Sequence, residues 1–326
     1  MEPVSNSFTV DLRRLGVLRE LARRGSLART AAALHLTPSA VSQQLTALSR
    51  EVGVPLIERA GRGVRLTGQA RVLLEHADVM AAQWEEARAA LSAWQEGRRG
   101  EVTVGAFSSA ITGLLPHALR PLTEQHPDVR ITVVEAEPPD LFTRLDAGEV
   151  DLAIAVDFAA APPHTDRRYT RVDLLVDTLD LALPAAHRLA REQDIPLRDL
   201  AGDTWIVGDP RSCCGAITRS LCAANGFTPD IRHAVNDWQS LAALVEAGLG
   251  VALVPRLVQP LHRPGLVLRS PAGPPPTRHV FAAVRAGSDG DPILSAVLEQ
   301  LRATAARINP YPPSSRTSPQ PLRASR

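Results

Sequence analysis

Five polar residues, Ser39, Ser42, Gln43, Thr46 and Arg50, recur at helical spacing and carry groups able to read base edges. At 100° per residue they gather on one side of a helix, while Val41, Leu45, Leu48 and Val52 gather on the other. Gln can pair bidentately with adenine, Arg with guanine, and Ser or Thr with bases or phosphates. Any surface helix has a polar face, so on these residues alone an amphipathic hairpin is an equal reading. Cys213, Cys214 and Cys222 offer thiol chemistry. Vicinal thiols at a helix start could have depressed pKa values and act as a redox or thiophilic-metal switch, whereas buried cysteine packs as an inert small hydrophobe. His164, His187 and His233 are scattered without metal-ligand spacing, so no metal is expected. The sequence contains no G-x-S-x-G, P-loop or H-E-x-x-H, and Gly248-x-Gly250 lacks the third glycine of a dinucleotide fingerprint, so neither an enzyme nor a cofactor is expected.

The polar face needs a scaffold, and the stretch from Ser26 to Gly53 supplies one. Leu27, Ala31 and Leu34 mark a short helix capped by Ser26; His35-Leu36-Thr37 makes the turn; Thr37 caps the next helix, with Pro38 at its first position. Helix, tight turn and a helix with a Ser/Gln/Thr/Arg outer face is the pattern of a helix-turn-helix. Residues 11 to 24 predict a preceding helix ended by Gly25, with Leu12, Leu15, Leu18, Leu21 and Ala22 as its apolar stripe. Residues 56–59 and 64–66 predict two short strands around a basic, glycine-flanked tip, a wing whose Arg59, Arg62 and Arg65 can approach phosphates or the minor groove. Charge agrees: between Asp11 and Arg71 eleven Arg face four acidic residues, a net +7, while the remainder is acidic.

From residue 67 to about 96 runs a helix without internal Pro, in which Ala70, Ala77, Trp84 and Leu91 repeat every seven residues and Leu73, Met80, Ala87 and Trp94 follow three later. That seam needs a partner. A second copy of the chain is the simplest, and packing against the chain's own body is the competing reading. Residues 97 to 100 break the helix. Beyond them alternating strand and helix patterns predict an α/β body with a parallel sheet and helices on both faces. Residues 309–326 are Pro, Ser and Arg rich and read as a disordered tail. No signal peptide or membrane-spanning run is apparent, which predicts reduced thiols and a cytoplasmic location.

The run SLARTAAALHLTPSAVSQQLTALSREVGVPLIERAGRGVRLTGQA resembles the DNA-binding signature of the LysR-type transcriptional regulators. EVTVGAFSSA, VDLAIAV and the stretch from Gly248 to Pro255 resemble the body of that family, and the likeness extends to about Ile308. Ser49, Ile57 and Gly68-Gln69-Ala70 depart from its usual residues without touching a base-facing position. The resemblance implies a multi-domain fold: a winged helix-turn-helix at 8–66, a linker and dimerisation helix at 67–97, and an α/β effector domain at 98–308 with two lobes like a periplasmic binding protein. Lobe I is expected at about 101–161 and 265–308, lobe II at 162–264.

The partners so implied are double-stranded DNA, a small-molecule effector and a second or fourth copy of the chain, with no membrane. DNA contacts fall to Ser39, Ser42, Gln43, Thr46, Arg50, Arg59, Arg62 and Arg65, and dimerisation to Leu73, Ala77, Met80, Trp84, Ala87, Leu91 and Trp94. Ser108 and Ser109 match the turn from first strand to helix, where two hydroxyls and free backbone N–H groups could hold a carboxylate, or one serine could simply cap. Asp157, Phe158, Gly208, Asp209 and Asn236 fall at strand ends facing the cleft; Asn236 and Asp237 could instead only cap a helix, and Trp205 reads as core. The spacing of Cys213 and Cys222 resembles the redox pair of peroxide-sensing members, so a thiol-switched regulator is an alternative. From another class, the chain could be a ligand-binding protein with an N-terminal protein-interaction module.

Overall fold

The computed structural model describes residues 11–60, 63–94, 100–158, 161–208, 212–258 and 263–308, and for 92–94 the backbone alone. The expectations for Arg62, Asp209, the Trp94 side chain, the break at 97–99 and the tail at 309–326 therefore lie outside the described residues. The chain forms two compact units that divide within one helix, after Glu85.

The first unit begins with α1 (Leu12–Arg24), α2 (Leu27–Ala33) and α3 (Pro38–Val52). Asp11, Ser26 and Thr37 cap them, each accepting a backbone N–H two or three residues on. Gly25 and Gly53 close α1 and α3 in the left-handed region at φ 67° and 73°. Leu15, Leu18, Leu21, Ala31, Val41, Leu45 and Leu48 fill the core. Leu12 and Ala22 were expected on that stripe but are exposed, and Val17 takes a place in the core instead, because α1 turns a narrower face to α3. The wing is β1 (Ile57–Ala60) paired antiparallel with β2 (Gly63–Leu66), Glu58 opposite Arg65.

The long helix is α4 (Gly68–Trp94), and its seam is divided. Ala70 and Ala77 are buried in the first unit's own core and Leu73 packs against it, whereas Met80, Trp84, Ala87 and Leu91 are exposed. Ala77, expected at a dimer interface, is thus already covered within its own chain. The repeat is the same in both halves; the first half meets α1 and α3, and Arg19 ties α1 to Asp78 at 2.9 Å.

In the second unit, β3 (Glu101–Ala106), α5 (Ser108–Gly113), α6 (Leu115–Gln125), β4 (Arg130–Glu135), α7 (Asp140–Ala147) and β5 (Leu152–Val156) give the parallel order β4-β3-β5. Then comes a strand that the sequence pattern did not indicate, β6 (Tyr169–Pro184). It is followed by β7 (Thr204–Val207), α8 (Cys213–Ala224), β8 (Asp230–Ala234), α9 (Trp238–Glu246), β9 (Ala252–Pro255), β10 (Leu266–Arg269), β11 (Thr277–Arg285) and α10 (Pro292–Ile308). β11 runs antiparallel between β5 and β6, so the sheet is mixed rather than wholly parallel.

β6 serves both lobes. Up to Thr178 it pairs with β11; from Leu179 it pairs with β9 on one edge and from Leu181 with β10 on the other. The crossings therefore fall between Thr178 and Leu179 and between Arg269 and Thr277, not at about 162 and 265. Residues up to 168 stay with lobe I because Arg168 reaches Asp166 and Asp146, and Tyr169 donates to Asp146 at 2.6 Å. Among the described residues no helix is long and apolar enough to cross a membrane.

Leu45 is fully buried, and truncating it to alanine should cost about 2–5 kcal/mol through lost burial and the residual cavity. Hydrogen exchange of the full-length chain would show this as lost protection over α1 to α3. Leu36→Ala, on an exposed turn residue, should stay within about 0.5 kcal/mol.

Candidate nucleic-acid interface and effector cleft

On α3 the burial of Val41, Leu45 and Leu48 dictates what the opposite face presents. Ser39, Gln43, Thr46 and Arg50 are exposed and Ser42 is half-buried. The Thr46 hydroxyl donates to the Ser42 carbonyl at 2.9 Å, which leaves its oxygen as an acceptor and its methyl outward. Arg59 is exposed on the wing. Arg65 is exposed too but already paired across the hairpin, its Nε 3.0 Å from the Glu58 carboxylate. Arg14 braces the helix from behind through Gln44 at 3.2 Å and a close ion pair with Glu51.

The second site forms where the lobes meet, around a residue that sequence reasoning missed. Arg278, only 4% exposed, opens β11 directly across from Asp177 of β6. Its Nε and Nη2 donate to Asp177 Oδ2 at 3.0 and 2.7 Å, Nη2 donates also to Ser109 Oγ at 2.6 Å, and Nη1 lies 3.5 Å from Cys214 Sγ. Its guanidinium carbon lies 5.0 Å from the centre of the Phe107 ring. The other Asp177 oxygen accepts the Leu257 N–H at 3.2 Å. Burial pushes the Asp177 carboxyl up from its ordinary value, and the Arg278 charge opposes that rise. A lone Arg in an apolar strand pattern, with its counter-charge a hundred residues away in sequence, left no local signal.

The expected anion site at Ser108 and Ser109 is not formed as such. Ser109 is 1% exposed with its hydroxyl given to Arg278, and α5 spans only six residues. Ser108 remains half-buried at the cleft. Glu137, also missed, leaves β4 beside it: the register Ala106↔Glu135 continues with the Ala136 N–H donating to the Ala106 carbonyl at 3.0 Å. The residue is open to solvent, yet its carboxyl is crowded enough that burial raises its pKa; Arg278 lowers it in part and Glu135 adds to the rise.

Asp157 is engaged within lobe I, by His164 at 2.9 Å and by Arg171, stacked 3.5 Å from the Phe281 ring centre, at 3.5 Å. Phe158 packs against the lobe I core. From lobe II, Gly208 lies where a methyl would meet Ser212 Oγ at 3.2 Å and Asn236 Oδ1 at 3.3 Å, so those three residues form one small polar group. Asp237 caps α9, accepting from Ser240 N–H at 2.6 Å, and Trp205 is wholly buried with its Nε1 donating to Leu200 at 3.3 Å.

The thiols do not have the environment expected of activated cysteines. All three are free and buried. Cys213 faces the lobe I core, Cys214 and Cys222 the lobe II core. Burial pushes Cys213 up to about 12 and Cys222 up to about 11, and raises Cys214 as well.

Comparison with known proteins joins the two sites. Residues 12–71 match the family described as bacterial regulatory helix-turn-helix protein, lysR family, and residues 95–306 match the LysR substrate binding domain. The chain belongs to the LysR family. This LysR-type regulator is 26% identical over 302 residues to the DNA-binding transcriptional dual regulator OxyR of Escherichia coli, covering 92% of this chain and 96% of that one. It is 30% identical over 270 residues to a Mycobacterium leprae protein named "Probable hydrogen peroxide-inducible genes activator", covering 81% and 85%. Full-length OxyR from Pseudomonas aeruginosa, in a substituted form, shares its fold with a TM-score of 0.61 at 21% identity, over 91% of this chain and 97% of that one. The protein is accordingly a DNA-binding transcriptional regulator with a small-molecule effector domain.

Asp177→Asn should destabilise this LysR-type regulator by about 3–5 kcal/mol, since it strands a buried guanidinium. Glu137 works the other way. Its raised folded-state pKa gives stability that is complete below the ordinary carboxylate range and lost as pH rises through the raised value. Denaturant midpoints should therefore show wild type gaining stability on mild acidification relative to Glu137→Gln, with the two converging at low pH.

Proposed function

We propose that Ser39, Ser42, Gln43, Thr46 and Arg50 contact bases and phosphates of a partly palindromic double-stranded operator, with Arg59, Arg62 and Arg65 of the wing on the flanking backbone. The observation that carries this is the exposed polar face of α3 set against its buried Val41, Leu45 and Leu48. Arg65 would exchange Glu58 for a phosphate, and Thr46 would act as an acceptor or through its methyl group. Two copies pair, singly or as a dimer of dimers, through the exposed part of α4, Met80, Trp84, Ala87 and Leu91, joined by the equally exposed Val72 and Val79.

A small ligand between the lobes, touched by Ser108, Phe158, Gly208, Asp209 and Asn236, prefers one lobe arrangement and so one spacing of the paired heads. A coupling of about 1–3 kcal/mol would change operator preference about 5- to 150-fold. The protein works in the cytoplasm, by binding alone, without catalysis on its ligand. In selection from a random-sequence DNA pool, wild type should enrich a dyad-symmetric site. Gln43→Ala should bind that site with relaxed preference at one base pair, at a cost of about 1–3 kcal/mol. A pool that yields no enriched site would remove the operator reading.

A thiol-responsive regulator is the second reading. It is favoured by the Cys214 sulfur lying 3.5 Å from Arg278 and by the peroxide-response name of the Mycobacterium leprae relative. Cys213 and Cys222 stand nine residues apart on α8, roughly 13.5 Å along a helix, so joining them would require α8 to unwind. Operator affinity measured with and without peroxide, in wild type and in Cys213→Ser, Cys214→Ser and Cys222→Ser, tests this. An identical response in all four chains would count against it.

A further inference from the structure

The inter-lobe cleft has an acceptor to offer where a carboxylate site would need a donor. Arg278 is the cation that the described residues place there, and its donors already go to Asp177, Ser109 and Cys214. Asp177 balances its charge in a contact that is almost completely buried on both sides. An anionic ligand would find the Arg278 donors already engaged, and would sit close to the carboxylates of Asp177 and Glu137. Glu137 is the converse case. It leaves β4 level with Ser108, is exposed to solvent, and its carboxylate has no hydrogen-bond partner among the described residues. The lobe II group of Gly208, Ser212 and Asn236 is uncharged, and the partly buried Phe158 supplies apolar surface.

We infer that the effector of this regulator is an amine-bearing molecule whose ammonium is received by the Glu137 carboxylate, with its apolar part toward Phe158. The inference rests on the reading that the ligand sits between the lobes. The same crowding that raises the Glu137 pKa favours a cation beside it, because pairing relieves the cost of an isolated charge. Binding is then linked to proton release. Amine affinity rises with pH through the titration of Glu137, which faces Glu135 on its own strand, Arg278 of β11, and Cys213 and Cys214 of α8.

Three probes of one shape, benzylamine, benzyl alcohol and benzoate, titrated calorimetrically into the full-length chain test the inference. Benzylamine should bind, and Glu137→Gln should weaken it about tenfold to a hundredfold, the loss expected when a charge-assisted hydrogen bond is removed. Glu137→Asp should keep part of the affinity. Benzoate binding as tightly as benzylamine, or benzylamine binding that is absent or indifferent to Glu137→Gln, would overturn the assignment. Phe158→Ala and Asn236→Ala separate the two levels of the argument. If they weaken benzoate, the cleft stands and the amine assignment falls; if no probe responds to them, the cleft reading falls as well.

Discussion

A guanidinium held away from water must be met by a counter-charge and by acceptors for its N–H groups, or its desolvation destabilises whatever surrounds it. Arg278 sits where two lobes share one strand, and its partners come from both: Ser109 at the start of α5, Asp177 on β6, Cys214 at the start of α8. Three positions further along β6, Asp180 takes Arg256 bidentately with both contacts at 2.9 Å. Between those two aspartates β6 exchanges β11 for β9. The crossing is thus pinned by ion pairs within a continuous strand rather than left to a loop. Such pairs add little net stability over apolar residues of the same volume, but they penalise any arrangement that separates the partners. Packing reinforces them: a methyl on Gly113 of α5 would overlap the Leu257 carbonyl after β9, so the glycine allows the close approach that brings the Leu257 N–H to Asp177.

The DNA-binding unit follows a simpler constraint, since a three-helix core this small leaves each helix one buried stripe. Once Val41, Leu45 and Leu48 are fixed inward, Gln43 and Arg50 have nowhere to point but out. The same logic divides α4. Its seven-residue repeat supplies a fourth helix to that core through Ala70, Leu73 and Ala77, and past Asp78 the repeat continues with no core of its own unit to meet. An uninterrupted apolar period therefore served two kinds of burial.

Local signals made most of the first unit legible: the caps Ser26 and Thr37, Pro38, the helix-ending Gly25 and a sharp charge asymmetry all act within a few positions of the elements they specify. The parallel strands of the body were legible for the same reason, each being a short stretch of strand pattern next to a helix in the chain. β6 was not, because its residues pass from one lobe's environment to the other's and from half-buried to fully buried, so neither alternation nor a uniform apolar run survives along it. The cleft was half legible. Ser108, Phe158, Gly208 and Asn236 were visible as strand-end residues, but which group holds the charge depended on Arg278 and Asp177, paired across 101 residues of sequence. Ser109 shows the consequence: correctly placed at the cleft, it is spent on a guanidinium that sequence could not bring to it.

That network also bears on how a ligand can act. A ligand shifts an equilibrium only by the difference in its affinity for the two states, so it must touch something that differs between lobe arrangements. Ser109 and Asp177 belong to one side of the junction and Cys214, packed in the lobe II core, to the other, so lobe movement has to change at least one contact of the Arg278 cluster. The weakest is the thiol contact, a neutral sulfur at 3.5 Å, while the carboxylate contacts at 2.7 and 3.0 Å are charge-assisted. The cluster is therefore stiff within lobe I and yielding toward α8. A ligand bridging Glu137 of lobe I and the Gly208–Ser212–Asn236 group of lobe II would act across that yielding side, where a small free-energy difference suffices to select one arrangement.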